Sequence, residues 1–235
     1  MKKALFTLSH KETPADVGWE ILQVGGSKED ISSFRDNTGD NISDMNHLYL
    51  ETTGIYWIWK NIQEDIKGQC QYRRRLNVEV SDIDNILNHF DIIVASPYHF
   101  NVLEQYGRAH CREDLLACRG LVDDANAFDR IIVHGNILYY SNSFICKRET
   151  YDAICGFCFS VLDEFVNRNG FRDKNVLYEH AKKIRGIANP HPEITMAEYQ
   201  MRICGALFER LFTYYILKNG LKIYDCGKYK DEPRC

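Results

Sequence analysis

Short apolar runs separated by polar loops set the rhythm of this chain. Residues 4–8 (ALFTL), 20–24 (EILQV), 66–72 (IKGQCQY) and 91–95 (DIIVA) are strand-sized and bounded by turn-forming or charged residues, so they predict buried strands. Two more apolar runs lie at 131–133 and 144–146. Between the strands the period changes. In residues 51–61, Glu51, Ile55, Ile58 and Trp59 follow a three-and-four spacing, while Tyr49, Tyr56 and Trp57 crowd the neighbouring face. A helix apolar on most sides is expected inside a layered domain rather than on its surface. Further helices are predicted over 113–122 and 149–167. A final one opens on the capping box Thr195-Met-Ala-Glu198 and stops at Gly220. Residues 169–195, with Gly170, Gly186, Pro190 and Pro192, read as a loop. Strands alternating with helices imply an α/β fold: a mostly parallel central sheet flanked by helices, with the ligand site at the carboxyl ends of the strands.

Composition narrows the picture. A chain of 235 residues that is 45% hydrophobic, with mean hydropathy −0.38, can bury one substantial core, so a single domain over residues 1–235 is expected. A net charge of −4 and a pI near 6.1 disfavour a nucleic-acid partner, which needs a basic face. The nine cysteines lack the tight spacing of a disulfide scaffold and are expected as reduced thiols. Cys155-Gly-Phe-Cys158 stands alone, without the second ligand pair a zinc site would need, so core thiols are expected there. The apolar run after Met1-Lys2-Lys3 ends at Leu8, and nothing reaches the ~20 apolar residues of a membrane span. A soluble, cytoplasmic protein with no transmembrane segment is expected.

Several polar clusters carry candidate chemistry. The strand at 20–24 stops at Gly25-Gly26, where backbone can approach a ligand or simply turn. The irregular stretch 28–45 holds Asp36, Asp40, Asn41 and Asp44. Asp40 and Asn41 have the groups to bind a base, a ribose or a sugar hydroxyl, and equally those of an Asx turn. The strand at 66–72 runs into Arg73-Arg74-Arg75 with no Asp-x-Asp at its end. The Asp-x-Asp of Ser81-Asp82-Ile83-Asp84 reads as a helix N-cap with first-turn acids. A departing diphosphate needs positive charge from a metal or from guanidinium groups, although a basic run is often only a solvated face. Glu113 and Asp114 beside His110 could supply a general base or merely open a helix. Glu209-Arg210 sits in an otherwise apolar helix, where a charge needs either a buried partner or a site to face.

Residues 39–43 (GDNIS), 51–61 (ETTGIYWIWKN) and 66–74 (IKGQCQYRR) together resemble a known family. Its members read G-D-N-I-S, E-L-T-x-x-Y-W-x-W-K-N and Y-I-G-x-C-H-Y-R-R in the same order. These are bacterial polysaccharide-biosynthesis proteins, long described as a domain of unknown function and found among capsule and O-antigen glycosyltransferases. The resemblance extends to His10-Lys11, Gln23-Val24-Gly25, His110-x-x-Glu-Asp-Leu115 and Arg202-x-x-Gly205-x-x-x-Glu209-Arg210-Leu211. One position departs: Gln71 stands where the family has histidine.

The resemblance implies a GT-A-like glycosyltransferase that moves a sugar, galactofuranose among the candidates, from a UDP-sugar to a polysaccharide or lipid-linked glycan. It implies donor and diphosphate contacts for His10, Gln23, Gly25, Asp40, Asn41, Gln71, Tyr72, Arg73 and Arg74, with Arg75 as a further candidate. Acceptor contacts would fall to His110, Asn142 and Arg210, and catalytic carboxylates would be Glu209 and Asp114. The arginines would stand in for a metal, so no metal ligands are assigned and no cofactor is required beyond the nucleotide-sugar substrate. A lipid-linked acceptor would bring peripheral membrane contact. Two other readings remain: an inactive sugar- or nucleotide-binding partner, which Gln71 favours, and a nucleotidyl or phosphoryl transferase. The latter would expect a Gly-x-x-x-x-Gly-Lys loop or metal-binding carboxylates at a strand end, and the sequence offers neither.

Overall fold

A strand buried on both faces is mostly apolar along its length, and the first run of the chain, with only Thr7 polar, fits that pattern. In the computed structural model, which describes residues 1–25, 30–182 and 196–230, it forms β1 (Lys3–Ser9), buried from Leu5 onward. The chain continues through β2 (Glu20–Gln23), β3 (Phe34–Arg35), α1 (Asn46–Tyr49), α2 (Thr52–Asn61) and β4 (Ile66–Gln71). Next come α3 (Ile83–Ile86), β5 (Ile92–Val94), β6 (Tyr98–His99), α4 (Val102–Tyr106), α5 (Arg112–Cys118) and α6 (Ala125–Phe128). A π-helical turn (Asp129–Val133) leads to β7 (Ile137–Leu138), β8 (Phe144–Lys147) and the long α7 (Arg148–Asn169). Then follow α8 (Lys174–Lys182), α9 (Ala197–Gln200), α10 (Ile203–Lys218) and β9 (Ile223–Asp225).

The main sheet has seven strands in the order β3-β2-β1-β4-β8-β5-β9. The pairs β1–β2, β1–β4, β2–β3 and β5–β9 are parallel, and only β8 runs antiparallel, to β4 on one side and β5 on the other. The expected mostly parallel α/β sheet is therefore present. Alternate residues feed two separate cores, as strand geometry requires. Phe6, Ile92, Val94, Phe144 and Cys146 face a helical layer that includes α2, α7 and α10. Leu5, Ile93 and Ile145 face the opposite side, against Trp19, Leu76, Ile83, Leu87 and Tyr229. The eight cysteines from Cys70 to Cys226 are free thiols, Cys155 and Cys158 among them in the core. Among the described residues no helix is long and apolar enough to cross a membrane.

Some local expectations are revised. The loop expected at 169–195 contains α8, which docks through buried Leu177 and Ala181; residues 183–195, and with them Thr195 of the capping box, lie outside the described residues. The final helix is broken into α9 and α10 at Arg202, whose ψ of 32° leaves helical geometry, and buried Gln200 donates to the Ala109 carbonyl at 2.6 Å. The helix at 113–122 ends early, at Cys118, and Asp124 then caps α6 by accepting from the Ala127 N–H at 2.9 Å. Ser81 does not cap α3. Its neighbour Asp84 ties down the amino terminus, pairing with the Lys3 ammonium and, at 3.3 Å, with the terminal amine.

Close approach of α2 to the sheet depends on Gly54. A Cβ there would stand 2.6 Å from Val24 Cγ1 and 3.0 Å from Leu8 Cδ2. Alanine would gain ~1 kcal/mol in helix propensity but overpack the interface by roughly 1–3 kcal/mol. Gly54→Ala is therefore expected to lower the urea midpoint with little change in m-value.

Candidate functional site

Parallel strands expose backbone groups at their carboxyl ends, where the loops diverge and leave a crevice. Here a cleft of about 670 Å³ opens beyond β1, β2 and β4, lined by Leu8, His10, Val24, Gly25, Asn46, Leu50, Glu51, Gln71, Tyr72, Arg73, Arg74 and Arg202. Behind it lies an inner pocket of about 170 Å³, whose walls include Gln105, His110, Tyr140, Tyr199, Glu209 and Arg210. Leu50, Glu51, Gln71, Arg74 and Arg202 line both spaces.

The mouth of the cleft is cationic. Arg73 and Arg74 ride on a turn after β4, closed by the Arg74 N–H donating to the Gln71 carbonyl at 3.0 Å. Aromatic faces support their guanidinium groups: Arg73 lies 5.1 Å from the Tyr72 ring centre and Arg74 4.9 Å from that of Tyr140. Among the described residues neither is paired with a carboxylate. Arg75 turns away and binds Asp16 at 2.6 Å. His10 packs edge-on against Tyr72 at 5.4 Å. Burial first, then the positive charges of Lys11, Arg73 and Arg202, hold its pKa below the usual histidine value.

Carboxylates occupy the inner end. Glu51 opens α2 at the step between cleft and pocket; its Oε1 accepts from Gln71 Nε2 at 2.6 Å and from Asn142 Nδ2 at 3.0 Å. Glu209 on α10 is 6% exposed. Its Oε1 accepts from the Ser141 N–H at 2.8 Å and its Oε2 from Arg210 Nη1 at 2.6 Å. Arg210 also donates to the Ala206 carbonyl at 2.8 Å and to Gln105 Oε1. His110 is sandwiched between Tyr106 and Tyr199, and burial pushes its pKa down to about 3, so it stays a neutral imidazole.

Backbone strain collects at the same place. The non-glycine residues with left-handed φ among those described are Leu50 (52°), Ser141 (76°) and Asn142 (51°). Leu50 precedes Glu51, and Ser141 and Asn142 are the residues that bind Glu209 and Glu51. Each strained turn is held from outside: Asn46 Nδ2 donates to the Leu50 carbonyl at 2.8 Å, and Gln69 Nε2 to that of Asn142 at 2.9 Å. Strain so confined marks sites where geometry matters more than stability.

Of the residues singled out from the sequence, His10, Gly25, Gln71, Tyr72, Arg73, Arg74, His110, Glu209 and Arg210 line the cleft or its inner pocket, and Asn142 joins them through Glu51. Five do not line it, Arg75 on its Asp16 ion pair among them. Asp40 and Asn41 form a surface turn read by α2: Asn61 Oδ1 accepts from the Asp40 N–H at 3.0 Å, Asn61 Nδ2 donates to its carbonyl at 2.8 Å, and Asn41 Oδ1 accepts from the Ser43 N–H at 3.2 Å. Gln23 is buried, its Oε1 accepting from the Ile31 N–H at 3.1 Å. Asp114 faces His180 Nε2, 3.0 Å away, beside a separate depression. Conversely, Glu51 and Arg202 belong to the site without having been assigned to it. A carboxylate opening an otherwise apolar helix was the available signal for Glu51, and Arg202 begins the segment that ends in Glu209-Arg210. Among the described residues no group of three or more His, Cys, Asp or Glu stands together to hold a metal ion.

Comparison with known proteins now has a fold and a site to explain. The chain matches the family described as a domain of unknown function, DUF4422, over residues 4–187, and it belongs to that family. No curated protein matches it. Among solved structures it is similar to the apo structure of WbbM, a bifunctional glycosyltransferase, with a TM-score of 0.74 and 21% identity over 99% of this chain. The chain spans 46% of that protein's length. The likeness is one of fold: a glycosyltransferase shares this α/β architecture.

Burial of Glu209, with Glu51 adding to it and Arg210 opposing it, raises its pKa from 4.5 to about 7. Between those two values the folded chain keeps a proton that the unfolded chain has released, so stability present below pH 4.5 is lost as pH rises toward 7. The loss is on the order of 3 kcal/mol. Glu209→Gln removes this titration. Urea unfolding at a series of pH values is expected to give a flatter profile for the variant, and parallel profiles would contradict the assignment.

Proposed function

We propose that this chain is a glycosyltransferase with a GT-A-like donor site, taking its sugar from a UDP-sugar. The observation that carries the reading is the polarity of the cleft: arginines held on aromatic rings at the mouth, carboxylates at the inner end, all at the carboxyl ends of parallel strands. A sugar nucleotide has the matching polarity. Its diphosphate would lie against Arg73, Arg74 and Arg202, with His10 and Tyr72 beside it, and its sugar would reach toward Glu51 and Glu209. In the transfer an acceptor hydroxyl attacks the anomeric carbon as the bond to the diphosphate breaks. The arginines take up the charge that develops on the leaving oxygen, and the hydroxyl proton passes to a carboxylate at the inner end. The inner pocket, with His110, Tyr140, Tyr199 and Arg210, would receive the sugars.

The similarity of fold to WbbM supports this reading, since that protein is a glycosyltransferase. On the motif resemblance, the proposal extends to galactofuranose as donor sugar and to a capsule or O-antigen glycan as acceptor. The competing reading, an inactive binding partner, drew its support from Gln71. In the structure Gln71 offers an N–H to Glu51, a donor that an imidazole also possesses, so the replacement keeps the chemistry of the contact.

Calorimetry with UDP tests the donor site. Wild type is expected to bind UDP without added metal. Charged hydrogen bonds are worth about 1.5–3 kcal/mol each, so Arg73→Ala/Arg74→Ala should weaken binding at least ~100-fold. Asp40→Ala and Asn41→Ala should leave it unchanged. Binding that requires Mn²⁺ would sink the arginine clamp, and absence of binding under both conditions would sink the transferase reading.

A further inference from the structure

We propose that Glu51 is the general base of the transfer, and that Glu209 is a positioning residue behind it; the assignment rests on the transferase reading above. The two carboxylates differ in what their oxygens already do. Both oxygens of Glu209 are committed, one to the Ser141 N–H and the other to Arg210. A hydroxyl approaching either oxygen would have to displace the donor already bound there. In Glu51 a single oxygen, Oε1, takes both donors, Gln71 and Asn142. Its Oε2 accepts from no described residue, and the side chain borders both the cleft and the inner pocket.

The surroundings fix Glu51 from three directions. Gln71 reaches it from β4, Asn142 from the strained turn before β8, and the strained Leu50 peptide sets the angle at which α2 presents it. Glu209 acts on this arrangement through the backbone: by accepting from Ser141 it holds the turn that carries Asn142. The charged groups facing the same space are Arg74 from the turn after β4, Arg202 before α10, and Glu209 and Arg210 on α10, with His110 neutral beside them.

In the step assigned to it, a lone pair of the acceptor hydroxyl oxygen forms the new bond to the anomeric carbon. The bond from that carbon to the diphosphate oxygen breaks, and its electron pair leaves with UDP toward the arginines. The hydroxyl proton moves to Glu51 Oε2 and is later released to solvent. No oxidant, reductant or further reactant is needed.

A purely structural role for Glu51 makes a different prediction from a catalytic one. In Glu51→Gln the amide oxygen can still accept from Gln71 and Asn142, so a structural role is preserved, whereas the basic oxygen is gone. UDP release is measured from UDP-galactose, UDP-galactofuranose, UDP-glucose and UDP-N-acetylglucosamine, each with and without an alkyl β-galactoside acceptor, alongside UDP calorimetry and thermal unfolding. General-base catalysis contributes ~10²–10⁴-fold, so Glu51→Gln should slow UDP release at least ~100-fold while UDP affinity and unfolding midpoint stay at wild-type values. Glu209→Gln, which can still accept from Ser141, should lose much less. Release by Glu51→Gln close to wild type, or a greater loss in Glu209→Gln, overturns the assignment alone. A wild type that binds UDP but releases it from none of these donors overturns the assignment together with the transferase reading.

Discussion

The antiparallel insertion of β8 between β4 and β5 is the constraint on which the site depends. In a wholly parallel sheet the segment before a strand lies at the opposite end from the segments that follow its neighbours. Because β8 runs the other way, residues 139–143 arrive beside the loops that leave β1, β2 and β4. That places Ser141 and Asn142 within hydrogen-bond reach of Glu209 and Glu51. The turn is held from behind by Tyr229, whose hydroxyl donates to the Tyr140 carbonyl at 2.6 Å. One reversed strand thus lets a helix start, a strand end and a distant helix contribute to a single pocket.

Electrostatics explains why the pocket is arranged as it is. A buried carboxylate is tolerated only where donors surround it, and Glu209 has the Ser141 N–H and Arg210. The arginines at the mouth are treated differently, stacked on Tyr72 and Tyr140 rather than neutralised by acids. Stacking holds a guanidinium in place while leaving its N–H groups for an anion. Arg73 and Arg74 are thereby left free of carboxylate partners while Glu209 deeper in is paired with Arg210, an arrangement that a ligand with an anionic end and a hydroxyl-rich end would meet.

The Gly-Asp-Asn segment is fixed by the helix beside it. Gly39 has φ of 57°, and a Cβ there would fall 2.2 Å from Asn61 Oδ1. In this turn the end of α2 reads the Asp40 backbone through the Asn61 side chain. Nearby Asp36, 2% exposed, accepts from Ser43 Oγ and Thr53 Oγ1 and from the Gly25 N–H at 3.3 Å. Together these bonds fix α2 against β2, and so fix where Glu51 stands.

What the sequence determined by itself was local or periodic. Runs such as residues 4–8 and 91–95 marked the strands because burial on both faces favours short, mostly apolar runs, and the aromatic period of 51–61 marked the central helix. The arginines after β4 were singled out only by the family resemblance, since a basic run by itself is more often a solvated face. Only the tertiary structure decided which polar residues share a site. Asp40, Asn41, Gln23 and Asp114 are as polar as Glu51, and no period or composition separates them. For three of them the separation comes from partners 8 to 66 residues away in sequence: Ile31 for Gln23, Asn61 for Asp40 and His180 for Asp114. Glu51 likewise meets Asn142 across 91 residues only because β8 enters the sheet reversed. Hydrogen-bond partnership at that range is a property of the folded chain, set by strand order and direction, and a linear pattern carries no record of it.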